Sequence, residues 1–250
     1  MPVATALAAT VRRAGHAMVL LLAASTVHAQ DVAADTYAAE RQALVAQLRA
    51  DAAGAGRQAQ LDPKVLEAIG RVPRHRFVPA AQRRHAYKDR PLPIGHGQTI
   101  SQPYIVALMT SLLQPAPGHN VLEVGTGSGY QAAVLAELGA QVYTIEILEP
   151  LGRQAAQVLQ AYPGVHARIG DGYQGWPEHA PFDAIIVTAA VTPIPPPLLE
   201  QLKPGGRMVI PVGRQWATQT LMLVEKDRDG KIRERRILPV RFVPLTGERD

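Results

Sequence analysis

The chain has 250 residues, of which 47% are apolar and 19% are charged, and its formal net charge is +5. This length and composition favour one sizeable globular domain and exclude a coiled coil or a disordered chain. The charge excess is too small for a nucleic-acid-binding surface. The absence of cysteine excludes disulfides, thiolate nucleophiles and Cys-based zinc sites. The eight histidines show no metal-ligand spacing, so no metal site is expected.

The first 29 residues have the pattern of a secretory signal peptide. Arg12 and Arg13 form a positive start, residues 14–26 are a short apolar run, and Val27-His28-Ala29 fits a small-x-small cleavage site. The run is too short for a permanent membrane span. We therefore expect export to the periplasm and no membrane attachment after cleavage. The alternatives are an over-long start or a disordered alanine-rich tail of a cytoplasmic protein.

The next segment predicts a helical extension before the main domain. We place the extension at residues 30–60 and the main domain at residues 61–250. Within the extension, residues 37–48 have the spacing of an amphipathic helix. Asp62-Pro63 then predicts an N-cap and the first residue of a second, short helix.

Proline and glycine interrupt the chain before the central part of the sequence. Residues 71–79 are expected to be irregular, and residues 91–97 are expected to form a loop. A helix is predicted from Pro103 to residue 113.

From residue 120 the sequence alternates between short apolar strands and helices. Strands are predicted at residues 121–124, 142–145, 165–169, 184–188 and 207–211. Such a pattern predicts a parallel sheet with helices on both faces. Two longer alternating strands, joined at the turn dipeptide Asp229-Gly230, predict a final hairpin. The expected fold class is α/β: a Rossmann-like, doubly wound, mostly parallel seven-stranded sheet with a C-terminal antiparallel hairpin.

The first predicted strand runs directly into a glycine-rich turn, Gly125-Thr126-Gly127-Ser128-Gly129. Glycine at alternate positions lets the backbone turn sharply and approach a ligand closely. Open α/β sheets bind ligands at the carboxyl ends of their strands, which is where this turn lies. Glu146 closes the second strand, where a carboxylate can accept hydrogen bonds from ribose hydroxyls. Together these features indicate a cofactor that contains adenosine.

The loop spacing and its flanking acid narrow the choice of cofactor. A dinucleotide-binding loop has the spacing G-x-G-x-x-G and holds a pyrophosphate. Here the spacing is G-x-G-x-G, and Glu123 before it suits an ammonium group better than a phosphate. S-adenosylmethionine carries an ammonium and a sulfonium and no phosphate, and the segment resembles the first motif of class I methyltransferases. A structural glycine turn in another α/β protein and an NAD-dependent enzyme are the alternatives.

Several other segments narrow the methyl acceptor. The residues after the fourth strand, Thr188-Ala189-Ala190, lack the Asn/Asp-Pro-Pro-aromatic motif usual in base and amide N-methyltransferases. Five collinear segments between residues 60 and 247 resemble protein-L-isoaspartate O-methyltransferases. They are Val72-Pro73-Arg74-His75-Arg76-Phe77-Val78-Pro79, Leu92-Pro93-Ile94-Gly95-His96-Gly97-Gln98-Thr99-Ile100-Ser101-Gln102-Pro103, Pro181-Phe182-Asp183-Ala184-Ile185-Ile186-Val187-Thr188-Ala189-Ala190, Leu202-Lys203-Pro204-Gly205-Gly206-Arg207 and Arg241-Phe242-Val243-Pro244-Leu245-Thr246.

This resemblance implies an activity and a set of site residues. Members of that family methylate the free carboxyl of L-isoaspartyl residues in damaged proteins, and the ester closes to a succinimide that reopens partly to aspartate. The resemblance implies a catalytic role for Ser101, which also contacts the substrate, and pairing of the substrate backbone with Val212 and Gly213. The implied cofactor-binding residues are Gln98, Thr99, Ile100, Ser101, Glu123, Gly125, Gly127, Glu146, Ile147, Asp171, Gly172 and Thr246. We expect a monomer whose partners are proteins or peptides that contain L-isoaspartate.

Three alternatives stay open from the sequence. The acceptor could be another carboxylic acid, or the chain could be a non-catalytic module that binds cofactor or damaged peptides. Ser101 could also serve only as the N-cap of the helix that begins near Pro103.

Overall fold

A computed structural model of the protein describes residues 35–54, 60–214 and 217–247. The predicted signal peptide lies outside these residues. The chain divides into two units, Met1–Gln42 and Ala43–Asp250. In the first, the described residues form a 3-10 turn, Asp35–Tyr37, and the beginning of helix α1, Ala38–Gly54. No helix within the described residues is both long and apolar enough to cross a membrane.

Helices and strands alternate along the second unit. After α1, the helices are α2 (Pro63–Arg71), α3 (Pro103–Leu113), α4 (Tyr130–Glu137), α5 (Glu149–Leu159) and α6 (Pro196–Gln201). The strands are β1 (Leu92–Gly95), β2 (Gln98–Ile100), β3 (Asn120–Val124), β4 (Gln141–Glu146), β5 (Val165–Ile169), β6 (Phe182–Val187), β7 (Leu202–Val212), β8 (Gln219–Lys226) and β9 (Ile232–Val240). These bounds confirm the predicted strands and helices of the sheet region, although β7 begins earlier than expected.

The main sheet has the order β5-β4-β3-β6-β7-β8-β9 within the described residues. Strands β3 to β7 pair in parallel, whereas β8 and β9 pair antiparallel to their neighbours. The predicted fold class is therefore confirmed. The chain moves outward from β3 to β5 and then returns to β6 on the other side of β3. Such a reversal opens a crevice at the carboxyl ends of the strands, where this fold binds ligands.

The central strands are apolar on both faces because helices cover the sheet. Val121, Leu122 and Val124 of β3 are fully buried, as are Ile185 and Ile186 of β6. Each such side chain contributes about 1.5–3 kcal/mol through its removal from water. The carboxyl ends of β3 and β6 therefore rest on a rigid, close-packed base.

The prediction of a loop over residues 91–97 is wrong in part. Leu92–Gly95 is strand β1, which pairs antiparallel with β2. Leu92 and Ile94 are buried and Pro93 is exposed, so the burial alternates as in a half-buried strand. Gly95, His96 and Gly97 all have positive φ angles and make the tight turn between the two strands. The segment expected to be irregular, residues 71–79, contains a short 3-10 helix, Arg74–Phe77.

Candidate active site

The glycine loop lies at the crevice between β3 and β6. Gly125 and Gly129 have φ angles of 95° and 87°, in the left-handed region that favours glycine. A Cβ atom on Gly125 would lie 2.6 Å from Oγ1 of Thr188, which follows β6. That hydroxyl donates a 2.6 Å hydrogen bond to the carbonyl of Gly125. Glycine is therefore required at this position by both backbone conformation and space.

Glu146 connects the glycine loop to the end of β4. Its Oε2 accepts a hydrogen bond of 2.8 Å from the amide of Gly127, and its Oε1 accepts one of 3.0 Å from the amide of Leu148. Each oxygen of a carboxylate has capacity for more than one hydrogen bond. The carboxylate can therefore hold the loop in place and still accept hydroxyl groups of a ribose in the crevice.

Glu123 is a fully buried acid directly below the glycine loop. Its Oε2 accepts a 2.6 Å hydrogen bond from the hydroxyl of Thr144, whereas its Oε1 is buried with no hydrogen-bond partner among the described residues. Burial raises the pKa of Glu123 to about 8; the Thr144 hydrogen bond opposes this effect, and the charge of Glu146 adds to it. Because Glu123 also lines a cavity, its buried oxygen without a partner fits a cationic ligand group.

These groups line one cavity of about 840 Å³, part of which opens to solvent. Among the described residues that line it, Glu123 and Glu146 carry carboxyl groups, and none of the others carries a formal charge. The predicted cofactor residues that line it are Gln98, Thr99, Ile100, Ser101, Glu123, Gly125, Gly127, Glu146, Ile147, Gly172 and Thr246.

Asp171 is the predicted cofactor residue that does not line this cavity. Its Oδ1 accepts a 2.9 Å hydrogen bond from the amide of Tyr173 and so caps the short 3-10 helix Gly172–Gln174. The adenine-side role of Asp171 stays a prediction. The neighbouring residue Gly172 lines the cavity instead.

The C-terminal segment after β9 forms another wall of the same cavity. The amide of Ala190 donates to the carbonyl of Val243, and the amide of Leu245 donates to the carbonyl of Ala190, both at 2.8 Å. Leu245 is buried in the core, and Thr246 lines the cavity beside it.

Sequence reasoning missed the other described residues that line this cavity, which are Val106, Met109, Val124, Thr126, Ser128, Tyr130, Gln131, Ile145, Leu148, Thr188, Ala189, Val243, Pro244 and Leu245. Thr188 follows the carboxyl end of β6, and that position next to the glycine loop is a signal that could have identified it.

Ser101 lies between β2 and helix α3, and it does not cap that helix. The residue at the N-cap position is Gln102, which makes no side-chain capping bond. The carboxylate of Asp89 instead accepts hydrogen bonds of 2.8 Å from the backbone amide of Tyr104 and from the side-chain amide of Gln102. The capping interpretation of Ser101 is therefore wrong, because a carboxylate distant in sequence takes that place.

Ser101 also lines a second cavity of about 1020 Å³, part of which opens to solvent. The two cavities share Thr99, Ser101, Thr188 and Val243 in their walls. Among the described residues that line the second cavity, Arg241 alone carries a charge. The cavity with two carboxyl groups and the cavity with one guanidinium therefore meet at Ser101.

Val212 and Gly213, the predicted strip for the substrate backbone, line neither cavity. The amide of Gly213 donates to the carbonyl of Val191 at 2.9 Å, and its carbonyl accepts the hydroxyl of Thr192. Val212 pairs with Thr220 of β8 and forms a parallel bridge to Val191. Their pairing with substrate stays a prediction.

The fold and the acidic cavity together define a class I methyltransferase that uses S-adenosylmethionine. The parallel sheet, the G-x-G-x-G loop at its switch point and an acid at the end of β4 are the nucleoside-binding features of that class. The buried, unpartnered oxygen of Glu123 fits the ammonium of this cofactor.

Comparison with known proteins identifies the family. The model of the protein-L-isoaspartate(D-aspartate) O-methyltransferase family matches residues 39–250. The chain belongs to this family. The match includes helix α1 of the predicted N-terminal extension as well as the whole sheet region.

Individual relatives agree with this assignment. The chain is 60% identical to protein-L-isoaspartate O-methyltransferase 1 of Cupriavidus necator, over 93% of this chain and 90% of that protein. It is 68% identical to protein-L-isoaspartate O-methyltransferase 2 of a Polaromonas species, over 76% of this chain and 90% of that protein. A crystal structure from Plasmodium falciparum, described as an enzyme of this family in complex with S-adenosyl-L-homocysteine, matches with a TM-score of 0.69 and 25% identity, over 82% of this chain and 98% of that chain.

Replacement of Glu123 with glutamine is expected to change how cofactor affinity depends on pH. Because the pKa of Glu123 is about 8 in the protein without ligand, its carboxyl is mostly protonated at pH 7. A bound ammonium favours the carboxylate, so binding releases a proton and affinity rises by up to about tenfold per unit between pH 6 and 8. Calorimetric titration with S-adenosylhomocysteine is expected to show this rise for the wild type and not for Glu123→Gln.

The same variant is expected to be more stable than the wild type without ligand. A carboxyl whose pKa is raised by folding reduces the free energy of unfolding as pH increases from its unfolded value of 4.5 toward 8. Thermal unfolding of the ligand-free proteins should therefore show a Tm advantage for Glu123→Gln that grows over this range. Equal pH slopes for the two proteins, in binding and in Tm, would contradict the assigned ionisation.

Proposed function

We propose that the protein transfers a methyl group from S-adenosylmethionine to the free carboxyl of L-isoaspartyl residues in damaged proteins, and that Ser101 orients this carboxyl. One observation carries the proposal. A cavity with two carboxyl groups, suited to a cationic cofactor, meets a cavity with one guanidinium, suited to an anionic acceptor, and Ser101 lies in the shared wall. Membership of the protein-L-isoaspartate(D-aspartate) O-methyltransferase family supports the same acceptor.

The acidic cavity holds the cofactor in this proposal. Glu146 accepts the ribose hydroxyls, the buried Oε1 of Glu123 faces the ammonium, and the glycine loop lets the ligand approach the backbone. When bound, S-adenosylmethionine supplies a methyl group that is already activated by the sulfonium. The protein's own residues then have to orient the acceptor and exclude water.

The acceptor needs no strong general base. A carboxyl group with a pKa near 4 is ionised at neutral pH and is already a nucleophile. The hydroxyl of Ser101 can donate a hydrogen bond to one carboxylate oxygen while the other faces the cofactor. Orientation of the reacting atoms and removal of water from the carboxylate are then the main sources of rate acceleration.

The second cavity receives the acceptor residue and its neighbours. Pro91, Ile105 and Phe242 supply apolar contacts in its wall, and Arg241 supplies the positive charge. A guanidinium attracts a carboxylate and can bind it in a bidentate manner.

Replacement of Ser101 with alanine is expected to reduce kcat for an isoaspartyl peptide by roughly 10- to 100-fold, because the carboxylate loses its orienting donor. The affinity for S-adenosylhomocysteine should change much less. Radiolabelled methyl transfer, with base-labile product as the signature of an ester, and calorimetric titration measure the two quantities. Ser128→Ala is the matched control, because Ser128 lines the cofactor cavity and not the second cavity. Equal losses of turnover and cofactor affinity in Ser101→Ala would refute the catalytic assignment.

Replacement of Arg241 with glutamine is expected to raise the KM for the acceptor peptide by roughly 10- to 100-fold, since removal of one charge-assisted hydrogen bond costs about 1.5–3 kcal/mol. The KM for S-adenosylmethionine should stay nearly constant. Arg235→Gln is the control, because Arg235 is exposed on strand β9 and lines neither cavity. An unchanged peptide KM in Arg241→Gln would exclude this arginine from acceptor binding.

We also propose that residues 1–29 direct the protein to the periplasm, on the basis of Arg12, Arg13 and the apolar run that follows them. Cell fractionation with N-terminal sequencing is expected to find a periplasmic protein that begins at Gln30. Leu21→Arg, which places a charge within the apolar run, should keep the protein in the cytosol. A full-length N-terminus on wild-type protein in the cytosolic fraction would refute export.

A further inference from the structure

The Val72–Pro79 segment contains a buried arginine that the proposed function does not use. Arg74 has 0% of its surface exposed, although arginine is almost never fully buried unless its charge is satisfied. It begins the 3-10 helix Arg74–Phe77, and its neighbour in the segment, Arg76, is exposed. A buried cation next to an active site requires a physical explanation.

The guanidinium of Arg74 holds two backbone segments at once. Its Nε donates a 2.9 Å hydrogen bond to the carbonyl of Ala86, and its Nη2 donates one of 2.8 Å to the carbonyl of Ser101. The planar fork of arginine suits two acceptors in fixed directions, which the single ammonium of lysine cannot match.

The same side chain also contacts the helix that follows the glycine loop. The guanidinium carbon of Arg74 lies 4.8 Å from the ring centroid of Tyr130, within the range of a cation–π interaction. Tyr130 is the first residue of α4 and lines the cofactor cavity. Phe77 packs edge-on against Tyr130, with ring centroids 5.4 Å apart. One buried side chain therefore contacts both the acceptor side and the cofactor side of the site.

The charge of Arg74 persists at neutral pH. Burial lowers its pKa to about 10, and the nearby Tyr130 and Asp89 partly oppose that shift. A carbonyl accepts a stronger hydrogen bond from a cation than from a neutral donor. The Ser101 carbonyl is therefore held by a charged group in a buried environment, where such bonds are strongest.

We propose that Arg74 is a positioning residue that fixes Ser101 relative to the glycine-loop side of the cofactor cavity. Arg74 itself lines neither cavity, so it acts through two residues that do, the backbone of Ser101 and the ring of Tyr130. This inference rests on the proposed role of Ser101 at the acceptor. A displacement of about 1 Å at a reacting group can cost about 100-fold in rate. The hydrogen bond from Arg74 to the Ser101 carbonyl therefore matters for turnover.

Arg74→Lys keeps the charge and removes the fork, and it provides the main test. At a temperature well below the Tm of each protein, kcat for an isoaspartyl peptide is expected to fall roughly 10- to 100-fold. The affinity for S-adenosylhomocysteine should change less than about threefold, because the Glu146 and Glu123 contacts remain. Arg76→Lys is the matched control and should retain wild-type kcat. If the Arg74→Lys variant has a lower Tm but a wild-type kcat, the proposal is overturned.

A double-mutant cycle tests whether Arg74 acts through Ser101. In a Ser101→Ala background, Arg74→Lys is expected to reduce kcat by less than about twofold further. A full additional loss in that background would overturn the positioning role and leave the role of Ser101 intact. Wild-type kcat in Ser101→Ala would instead refute the catalytic assignment of Ser101, and with it a positioning role exercised through Ser101.

Hydrogen exchange gives a readout that does not depend on activity. Arg74→Lys is expected to speed exchange in the peptide that covers residues 99–102 and to leave strands β3 and β6 unchanged. Arg76→Lys should leave both regions unchanged. Unaltered exchange over residues 99–102 would overturn the proposal whatever the enzyme methylates.

Discussion

The hydrogen bond from the amide of Gly127 to the carboxylate of Glu146 is the contact on which the site depends. It connects the carboxyl ends of β3 and β4, two neighbouring parallel strands whose register is set over five residue pairs. The loop can make this bond because its glycines adopt left-handed conformations that side chains disfavour. Since the strands below it are buried and close-packed, the carboxylate, the loop and the crevice have one geometry relative to each other.

The site carries an energetic cost at Glu123. Full burial and one oxygen without a hydrogen-bond partner disfavour the ionised form of Glu123. This residue therefore reduces the free energy of unfolding of the ligand-free protein as pH increases toward 8. A cationic ligand relieves that cost because it supplies the missing counter-charge. The bound state thus gains free energy from a group that the empty fold accommodates poorly. Strain of this kind, placed at a binding site and supported by the rest of the fold, is common in proteins.

Distant parts of the chain complete the two cavities. The antiparallel strands β8 and β9 extend the sheet, and the segment after β9 returns to pair with Ala190 beside the crevice. The amide of Phe242 donates to the buried side chain of Gln219, which anchors the same segment. The C-terminal hairpin therefore places Arg241 in the wall of the second cavity and Thr246 in the wall of the cofactor cavity. Arg74 performs a similar task from the N-terminal side, since it joins the Ser101 backbone to Tyr130.

The sequence by itself determined the fold class, the glycine loop, the acids at positions 123 and 146 and the family, because these features depend on local periodicity, local backbone conformation and short motifs. Ser101, Gln98 and Thr246, which the resemblance implied as cofactor-binding residues, line the cofactor cavity, and their contacts with the cofactor stay a prediction. Tertiary structure decided the rest. Leu92–Gly95 became a strand because β2 lies beside it, although the prolines and glycines of residues 91–97 predict a loop. Asp89 caps α3 from outside the helix, which leaves Ser101 free of that task. The contact between Arg74 and Ser101 spans 27 residues along the chain, and the two cavities meet only because the folded sheet brings separate segments together. No local pattern encodes such pairings, since they arise from the packing of the whole domain.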